Sequence, residues 1–289
     1  MGLPKVKINL GNGNLGQTSI TDDGIAGMIL TGKAVDGTLE LNKHYQLSST
    51  RDLKGLGITE ENNPLAAKEI KAFYAQAGDG AELHLLVVSE ATTLATMCDP
   101  ADGSPLRKLI DAAAGRIRLI GINKLTPAEY EADTTQGIDA DAITAAANAQ
   151  QVAESYANQI RPFRLLLPAP AWTGTTENLY KPAESSYNRV AFILASDGAI
   201  AGEYSAAVGM ILGRAALMEP QQSIGRVKSG SLTPEGYFTS GDNYLDKIGM
   251  AESLNDAGYI FFTSYTAKNG CYLNGDGMAA PASDDYGQL

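Results

Sequence analysis

The sequence contains few residues of the kinds that build metal, disulfide or catalytic sites. Its 289 residues include two histidines, two cysteines and one tryptophan. Cys98 and Cys271 are single and far apart in the chain, so we expect a buried free thiol at each, since the spacing gives a disulfide no support. His44 and His84 lie 40 residues apart without a partner at metal-ligand spacing, and we interpret both as structural.

Long apolar runs and an excess of basic residues are missing as well. No run approaches the roughly 18 residues of a membrane span, and the start of the chain lacks the pattern of a secretory leader, so we expect an intracellular protein without membrane insertion. The 22 basic residues against 33 acidic ones argue against nucleic-acid binding, because phosphate contacts need clustered Lys and Arg. A hydrophobic content of 44% is enough for the core of one large α/β domain or two smaller ones.

A glycine motif near the start imitates a dinucleotide-binding turn. Gly11, Gly13 and Gly16 form G-x-G-x-x-G directly after the alternating run "KVKINL". The segment that follows, up to Ile25, is too short for a crossover helix, so no helix N-terminus is available for a phosphate. We therefore interpret the glycines as a flexible hinge and predict no cofactor.

A second motif, "GMILTGKA", is one residue short of a phosphate-binding loop. Ala34 stands where a hydroxyl would bind Mg²⁺. The positions that would form the open loop, Met28 to Leu30, are typical of a buried strand. We predict a strand here.

Strands and helices alternate from about residue 62 onward. Helical spacing and caps predict helices that start near residues 63, 104, 139, 205 and 243, and apolar runs predict strands at 83–89, 116–123, 163–170 and 188–196. Asn269-Gly270 predicts a tight hairpin between the last two strands. The fold class is therefore α/β, with a mainly parallel or mixed sheet, helices on both faces, an extended N-terminal arm (1–24), a core domain (25–289) and an antiparallel C-terminal hairpin.

Several positions in the predicted helices have an expected role. Asn63 is expected to cap its helix, and Gly209 and Gly213 are expected to allow close packing against the sheet. The apolar stripe of the long helix is expected to reach from Ile143 to Ile160. In the last helix the residues expected to face inward are Leu245, Ile248 and Leu254.

The candidate catalytic residues are those at the carboxyl ends of the strands, where α/β sheets bind ligands. The residues at these places are Ser89, Glu90, Asn123, Lys124, Pro168 to Trp172, Ser196, Asp197 and Gly198. None is a histidine, and the chain contains no G-x-S-x-G or H-E-x-x-H motif, so we predict no catalytic residue and no metal site. The alternative is a small-molecule enzyme or ligand-binding protein with Glu90, Lys124 and Asp197 around the switch point of a doubly wound sheet.

The order of these pieces resembles the sheath proteins of contractile phage tails and related injection machines, especially sheath-like proteins of Bacteroides-type prophages. The resemblance covers most of residues 60 to 280. The stretches that carry it are "NPLAAKEIKAFYAQAGDGAELHLLVV", "YNRVAFILASDG", "SAAVGMILGRAALMEPQQSIGRVKSGSL" and "YLDKIGMAESLNDAGYIFFTSYTAKNGCYLNGDGMA". Sheath proteins normally continue into a C-terminal arm, whereas this chain ends at "PASDDYGQL", so we expect a shortened form or a divergent member.

The resemblance implies a non-enzymatic structural subunit that polymerises helically around an inner tube and contracts to drive it through a cell envelope. The implied partners are other copies of the chain, the inner tail tube protein, and the baseplate and tail terminator proteins. The implied location is the virion tail, assembled in the cytoplasm of the bacterial host. Neither a cofactor nor nucleic acid takes part.

The N-terminal arm is the predicted interface between subunits. Its strand consists of Lys5, Val6, Lys7, Ile8, Asn9 and Leu10, followed by the hinge glycines Gly11, Gly13 and Gly16. A strand of this length needs a sheet to pair with, and the sheet of a neighbouring subunit would provide one by strand addition. The alternative is an arm that folds back on its own domain or is disordered.

Overall fold

The computed structural model describes residues 24–126, 129–219, 222–285 and 287–289. Its strands are β1 (Ala26–Gly32), β2 (His44–Leu47), β3 (Leu83–Ser89), β4 (Leu119–Asn123), β5 (Arg164–Pro168), β6 (Val190–Ile193), β7 (Ala195–Ser196), β8 (Tyr237–Phe238), β9 (Tyr259–Ile260), β10 (Phe262–Thr263) and β11 (Tyr272–Leu273). Seven of them form one sheet in the order β2-β3-β1-β4-β5-β6-β9. All neighbours in it pair in parallel except β2, which is antiparallel to β3.

Helices cover both faces of this sheet, as the sequence predicts. They are α1 (Asp52–Gly55), α2 (Pro64–Ala77), α3 (Leu94–Met97), α4 (Pro105–Ala112), α5 (Ala140–Ala157), α6 (Val208–Leu217) and α7 (Ala251–Ala257). Gly121 of β4 faces α6, whereas Gly27 of β1 faces Leu109 of α4 on the other side. Within the described ranges, no helix combines the length and apolarity needed to cross a bilayer.

β1 confirms the strand predicted in place of a phosphate-binding loop. All of its residues are buried, and it pairs with β3 on one side and with β4 on the other. The backbone of Ala26 to Gly32 is therefore used in the sheet rather than held open as a cradle of amide donors. Met28 faces α6 together with Gly121, its partner across the β1–β4 pair.

Asn63 occupies the N-cap position of α2, as predicted, but its side chain does not cap the helix. Its side chain makes no capping hydrogen bond to α2, although the helix begins at Pro64 as predicted. Instead the Asn63 amide accepts from Lys33 N–H at 2.7 Å and donates to Lys33 O at 3.1 Å. A side-chain amide carries the same donor and acceptor as a peptide group, so Asn63 pairs with the end of β1 like a short strand.

Gly209 and Gly213 permit close packing, but against α2 and not against the sheet. A Cβ atom on Gly209 would lie 2.2 Å from the carbonyl oxygen of Glu69, and one on Gly213 would lie 2.4 Å from that of Phe73. The backbones of α2 and α6 therefore approach each other closely at Gly209 and Gly213. The other side of α6 packs on the sheet, where Gly121 has no side chain and so leaves room for Val208 and Leu212.

The last predicted helix is shorter than expected. The α-helical part is α7, which starts after a 3₁₀ turn at Ile248–Met250 and ends at Gly258 in the left-handed conformation. Leu254 is buried as predicted, but the inward orientation of Leu245 and Ile248 is wrong, since each is 55% exposed. The N–H groups of Asp246, Lys247 and Ile248 each bond to the carbonyl three residues earlier, so residues 244–247 form turns and not an α-helix.

The apolar stripe of α5 ends before Ile160, contrary to expectation. The helix stops at Ala157, and Ile160 has φ of 62° in the turn that follows. Its side chain is 88% exposed. The stripe predicted from Ile143 onward therefore does not include this residue.

The C-terminal hairpin is confirmed, but its turn is not the tight one predicted. β10 and β11 pair antiparallel, and residues 264–271 connect them. Cys271 pairs instead with a neighbouring segment, because its N–H bonds to Thr233 O and its carbonyl accepts from Leu232 N–H, both at 2.8 Å. This outside pairing opens the loop around Asn269-Gly270. Cys98 and Cys271 are both buried free thiols, as expected.

Candidate functional site

The arm strand Lys5 to Leu10 and the hinge glycines Gly11, Gly13 and Gly16 lie outside the described residues, which begin at Gly24. The described chain enters the sheet at the amino end of β1. There the carbonyl of Ile25 accepts from Arg118 N–H at 3.0 Å. The described part of the chain therefore begins at the amino edge of the sheet, beside β4.

Lys124 directly follows β4 and is buried at the carboxyl edge of the sheet. Its Nζ donates to Asp141 at 2.9 Å and lies 3.6 Å from Asp139. The ammonium also lies 4.0 Å from the centre of the Tyr130 ring, a cation–π contact. Two carboxylates and an aromatic face thus surround one cation that is almost fully removed from water.

The two aspartates that neutralise Lys124 also organise helices. Asp139 caps α5 and accepts from Asp141 N–H at 3.1 Å. The Asp141 carboxylate accepts the N–H groups of Leu94 and Ala95 at the start of α3, at 2.8 and 3.0 Å. The cluster therefore joins α3, α5 and the end of β4, a structural role for charges that the sequence placed at a candidate catalytic position.

The other two candidate residues, Glu90 and Asp197, belong to different ion pairs. Glu90 lies 3.6 Å from Lys33, with both side chains largely exposed. Asp197 lies 2.7 Å from Lys68, which also donates to Gly198 O at 2.7 Å. Glu90, Lys124 and Asp197 are each paired with another partner and not with one another.

Glu69, which the sequence analysis did not single out, is a buried acid between α2 and α6. It is 1% exposed, and its carboxyl group accepts a hydrogen bond from Gly209 N–H. Burial, and then the nearby charge of Asp197, raise the pKa of Glu69 to about 8. Glu69 is thus largely protonated at neutral pH. The only signal in the sequence is an acidic residue on the apolar side of an amphipathic helix.

The topological switch point lies between β1 and β4, because the chain crosses β1 on its way from β3 to β4. Leu125 N–H donates to Thr31 Oγ1 at 3.0 Å and bridges the two strand ends. A cavity of about 190 Å³ lies next to Lys124 and is lined in part by Ser205 and Thr239. Ser205 Oγ is buried without a hydrogen-bond partner among the described residues.

His44 and His84 contact each other across the β2–β3 pair, which the sequence analysis missed. His44 Nε2 lies 2.7 Å from His84 Nδ1, and His84 Nε2 lies 2.8 Å from Glu82. Since the Glu82 carboxylate accepts, the proton of His84 is on Nε2 and His44 is the donor to Nδ1. Burial lowers the pKa of both histidines. The chain of bonds ties the edge strand β2 to the sheet, in line with a structural role.

Trp172, the only tryptophan, anchors the loop after β5. Its ring is buried and lies 4.7 Å from the ring of Phe238. The indole Nε1–H donates to Thr175 O at 2.9 Å. The residue packs within the carboxyl-edge loops.

The amino edge of the sheet carries an open cleft of about 320 Å³. We call it the amino-edge cleft and define it by Arg118, Leu119, Phe163, Arg164, Arg189 and Met218. The three arginines come just before β4, at the start of β5 and just before β6, so the parallel strands bring them to one edge. Glu219 and Leu289 also line the cleft, and the Arg118 guanidinium donates to Gly115 O at 3.0 Å.

An exposed apolar surface lies at the opposite, carboxyl edge. It is formed by residues 245–252, which we call the carboxyl-edge ridge, with Leu245 and Ile248 pointing outward. Lys247 within the ridge donates to Gly174 O at 3.1 Å, which places the ridge beside the loop after β5. Lys247 is also 3.5 Å from Asp242, so the exposed acids Asp246 and Glu252 leave the ridge negative.

Comparisons with known proteins agree with this architecture. A comparison with curated proteins finds no match. The anti-feeding prophage (AFP) helical sheath in its contracted state has a similar structure, with a TM-score of 0.53 and 14% identity over 100% of this chain and 71% of that one. The sheath tail protein of Desulfitobacterium hafniense gives a TM-score of 0.54 and 10% identity over 98% of this chain and 78% of the other.

At these identities the likeness shows a shared fold, that of contractile sheath proteins. It supports the predicted fold class, a mixed, mostly parallel sheet with flanking helices and a C-terminal hairpin. The family model described as DUF2586, N-terminal domain, matches residues 3–277, so the chain belongs to the DUF2586 family.

Proposed function

We propose that this protein is a structural subunit of a contractile tail sheath, which polymerises around an inner tube and contracts to drive it through a cell envelope. The observation that supports it most is the likeness of nearly the whole chain to two sheath proteins, one of them a helical sheath in its contracted state. The narrower assignment, to sheath-like proteins of Bacteroides-type prophages, is part of this proposal.

The proposed subunit is not an enzyme. The polar groups at the carboxyl edge support this, because Lys124 is neutralised by Asp139 and Asp141 and serves to hold α3 and α5. Contraction would draw on an extended lattice that packs less well than the contracted one, so that rigid-body motion between subunits releases stored energy without nucleotide hydrolysis.

In this proposal the strand Lys5 to Leu10 adds to the sheet of a neighbouring copy, and Gly11, Gly13 and Gly16 act as the hinge while the cores (25–289) move. The further proposed partners are the inner tube, baseplate and tail terminator proteins. The proposed location is the virion tail, after assembly in the host cytoplasm.

Negative-stain microscopy of the purified chain tests the proposal, with tubes or sleeves as the expected result. Deletion of residues 1–16 is expected to abolish them. Because the deletion also shortens the chain, two full-length arm variants are needed to test the strand itself. Serine at Val6, Ile8 and Leu10 removes the apolar face, whereas serine at Lys5, Lys7 and Asn9 leaves it intact. Only the first triple variant is expected to block assembly.

A contrary outcome is a stable monomer that binds a small metabolite. If the metabolite raises the melting temperature of the wild type but not of a Ser205→Leu variant, whose side chain fills the cavity beside Lys124, the sheath role is rejected. The protein would then be a small-molecule enzyme or ligand-binding protein on a doubly wound sheet.

A further inference from the structure

Strand β2 is the outer strand of the sheet, and a chain of side-chain hydrogen bonds fastens it to β3. β2 has four residues and stands at the end of the strand order, antiparallel to β3. His44 Nε2 lies 2.7 Å from His84 Nδ1, and the two rings stack with their centres 5.0 Å apart. His84 Nε2 lies 2.8 Å from Glu82 Oε1, which also accepts from Arg116 at 2.6 Å. We call this chain of bonds the histidine clasp.

The carboxylate at the end of the clasp fixes where the protons are. Burial opposes the charge of Glu82, but hydrogen bonds from Arg116 and His84 hold its pKa below the usual value. Glu82 is therefore ionised at neutral pH and can only accept, so His84 carries its proton on Nε2 and its Nδ1 accepts from His44 Nε2–H. His44 Nδ1 has no partner among the described residues, and His44 is only partly buried. A first added proton can bind at this nitrogen.

The clasp can hold one added proton but not two. A proton on His44 Nδ1 leaves the hydrogen bonds in place, because His44 still donates from Nε2. A second proton could bind only at His84 Nδ1, where it would set two N–H groups against each other at 2.7 Å. The bond between the rings would be replaced by repulsion between two cations. In an open chain, by contrast, both histidines take up a proton near pH 6.5.

The charged groups beside the clasp do not compensate a second positive charge. Glu82 is the carboxylate that faces His84, and it is already bonded to Arg116. Lys43, just before β2, is paired with Glu40 at the surface. Burial lowers the pKa of both histidines, and for His84 the hydrogen bond to Glu82 offsets part of that effect.

Helix α4 packs on β2 and β3, and its charged side chains are directed elsewhere. Arg107 lies over the Tyr156 ring, and Asp111 accepts from Tyr156 O–H at 2.7 Å. Lys108 is exposed. This helix therefore brings no acid to the two histidines.

We propose that the histidine clasp is an acid-sensitive contact that releases β2 from the sheet when both histidines are protonated. The open form takes up at least one proton more than the closed form. Because an open histidine titrates near pH 6.5, the ratio of open to closed β2 rises about tenfold per proton between pH 7.5 and 5.5. Release leaves β3 unpaired on one side, and such an edge can pair with another chain. The inference concerns the single chain and stands apart from the proposed sheath role.

Hydrogen–deuterium exchange of the full-length chain tests the release. It is read by mass spectrometry at pH 7.5, 6.5 and 5.5, above the sequence pI of about 4.7, after correction for the intrinsic exchange rate. Peptides that cover β2 are expected to lose about tenfold to a hundredfold in protection over this interval, whereas peptides from β5 and β6 are expected to keep theirs. Protection of β2 that does not change with pH overturns the proposal.

A variant at the partly exposed His44 separates an acid-sensitive bond from a merely structural one. In His44→Gln the side-chain amide can donate to neutral His84, and its oxygen can accept from protonated His84, so β2 is expected to stay protected at pH 5.5. Lys43→Gln, the same substitution one residue earlier at an exposed position, is the matched control and is expected to keep the wild-type pH dependence. Glu69 is present in all three proteins, so its own pH dependence, which has the opposite sign, cancels. An unchanged pH dependence in His44→Gln overturns the proposal.

A proton NMR titration of the histidine rings gives a second readout that needs no variant. The chain has two histidines, so their ring signals are few and can be followed individually. The rings are expected to titrate in two steps at least about one pH unit apart, because the first proton keeps the second from binding while the clasp is closed. A single step near pH 6.5 for both rings, with β2 still protected, overturns the proposal.

Discussion

The two edges of the sheet differ in what their charged residues do. At the carboxyl edge the buried Lys124 forms ion pairs with the buried Asp139 and the partly buried Asp141, and Glu69 is buried against the start of α6. At the amino edge three arginines line a cleft that opens to solvent. Helix α6 connects the two, since Gly209 contacts Glu69 at one end and Met218 lines the cleft at the other.

Enzymes with open α/β sheets use the carboxyl edge for binding, because helix N-termini and loops converge there. In this protein the polar groups at the carboxyl edge are used in contacts that join helices to strands. Binding of a partner would therefore use other surfaces. The comparison therefore predicts large stability effects from substitutions at the carboxyl edge and small ones at the amino edge. Four predictions test this difference, in order of decreasing effect on the free energy of unfolding.

Lys124→Met is expected to reduce the free energy of unfolding by about 3–5 kcal/mol, because it leaves the carboxylates of Asp139 and Asp141, which are 2% and 10% exposed, without their cation. Urea denaturation followed by circular dichroism measures the change. Lys33→Met is the matched control, since the Lys33–Glu90 pair is exposed and worth at most about 1 kcal/mol. Equal effects of the two variants would contradict a closed carboxyl edge.

Gly213→Ala is expected to cost about 1–3 kcal/mol of unfolding free energy, because the added methyl group would lie 2.4 Å from the Phe73 carbonyl oxygen and push α6 away from α2. Gly249→Ala is the control, because nothing lies within 4 Å of the Cβ position there. Denaturation midpoints of both variants are the measurement. A neutral Gly213→Ala would show that the helices are not in close contact.

The pH dependence of stability is expected to report the buried carboxyl group of Glu69. Its pKa is raised from 4.5 to about 8, so the folded state holds one proton more than the unfolded state between these values. The contribution is fully present below pH 4.5 and is lost as the pH rises to about 8, with a slope of up to about 1.4 kcal/mol per pH unit.

Glu69→Gln is expected to remove this slope, because the amide carries no titrating proton. Glu61→Gln, an exposed acid just before α2, is the control and is expected to keep it. The measurement is urea denaturation at a series of pH values from 5 to 9. A wild-type curve that is flat or rises over this interval would mean that Glu69 is ionised in the fold.

Leu217→Ser, at the amino-edge end of α6, is expected to change the free energy of unfolding by less than about 0.5 kcal/mol. The Leu217 side chain is 53% exposed, so little apolar burial is lost. Thermal and urea denaturation measure it. A loss comparable to that of Lys124→Met would show that the amino edge is also part of the stable interior.

Much of the fold follows from local patterns in the sequence. Strand β3 is an apolar run at 83–89, and helix α2 begins at Pro64, both as predicted. The candidate site was predicted less well. The sequence placed Lys124 at the carboxyl edge but gave no sign of its partners, which come from the start of α5. Leu245 and Ile248 fit a helical stripe, yet turn pairing overrides that stripe and exposes them.

The sequence by itself determined which segments are strands and helices, because side-chain periodicity and turn residues act over a few neighbouring positions. Only the tertiary structure decided that Asn63 pairs with β1, that Gly209 faces α2, and that Glu69 holds its proton. These properties depend on contacts between residues that are far apart in the chain and on how deeply those residues are buried. A pattern of neighbouring residues in the sequence shows neither the contacts nor the burial.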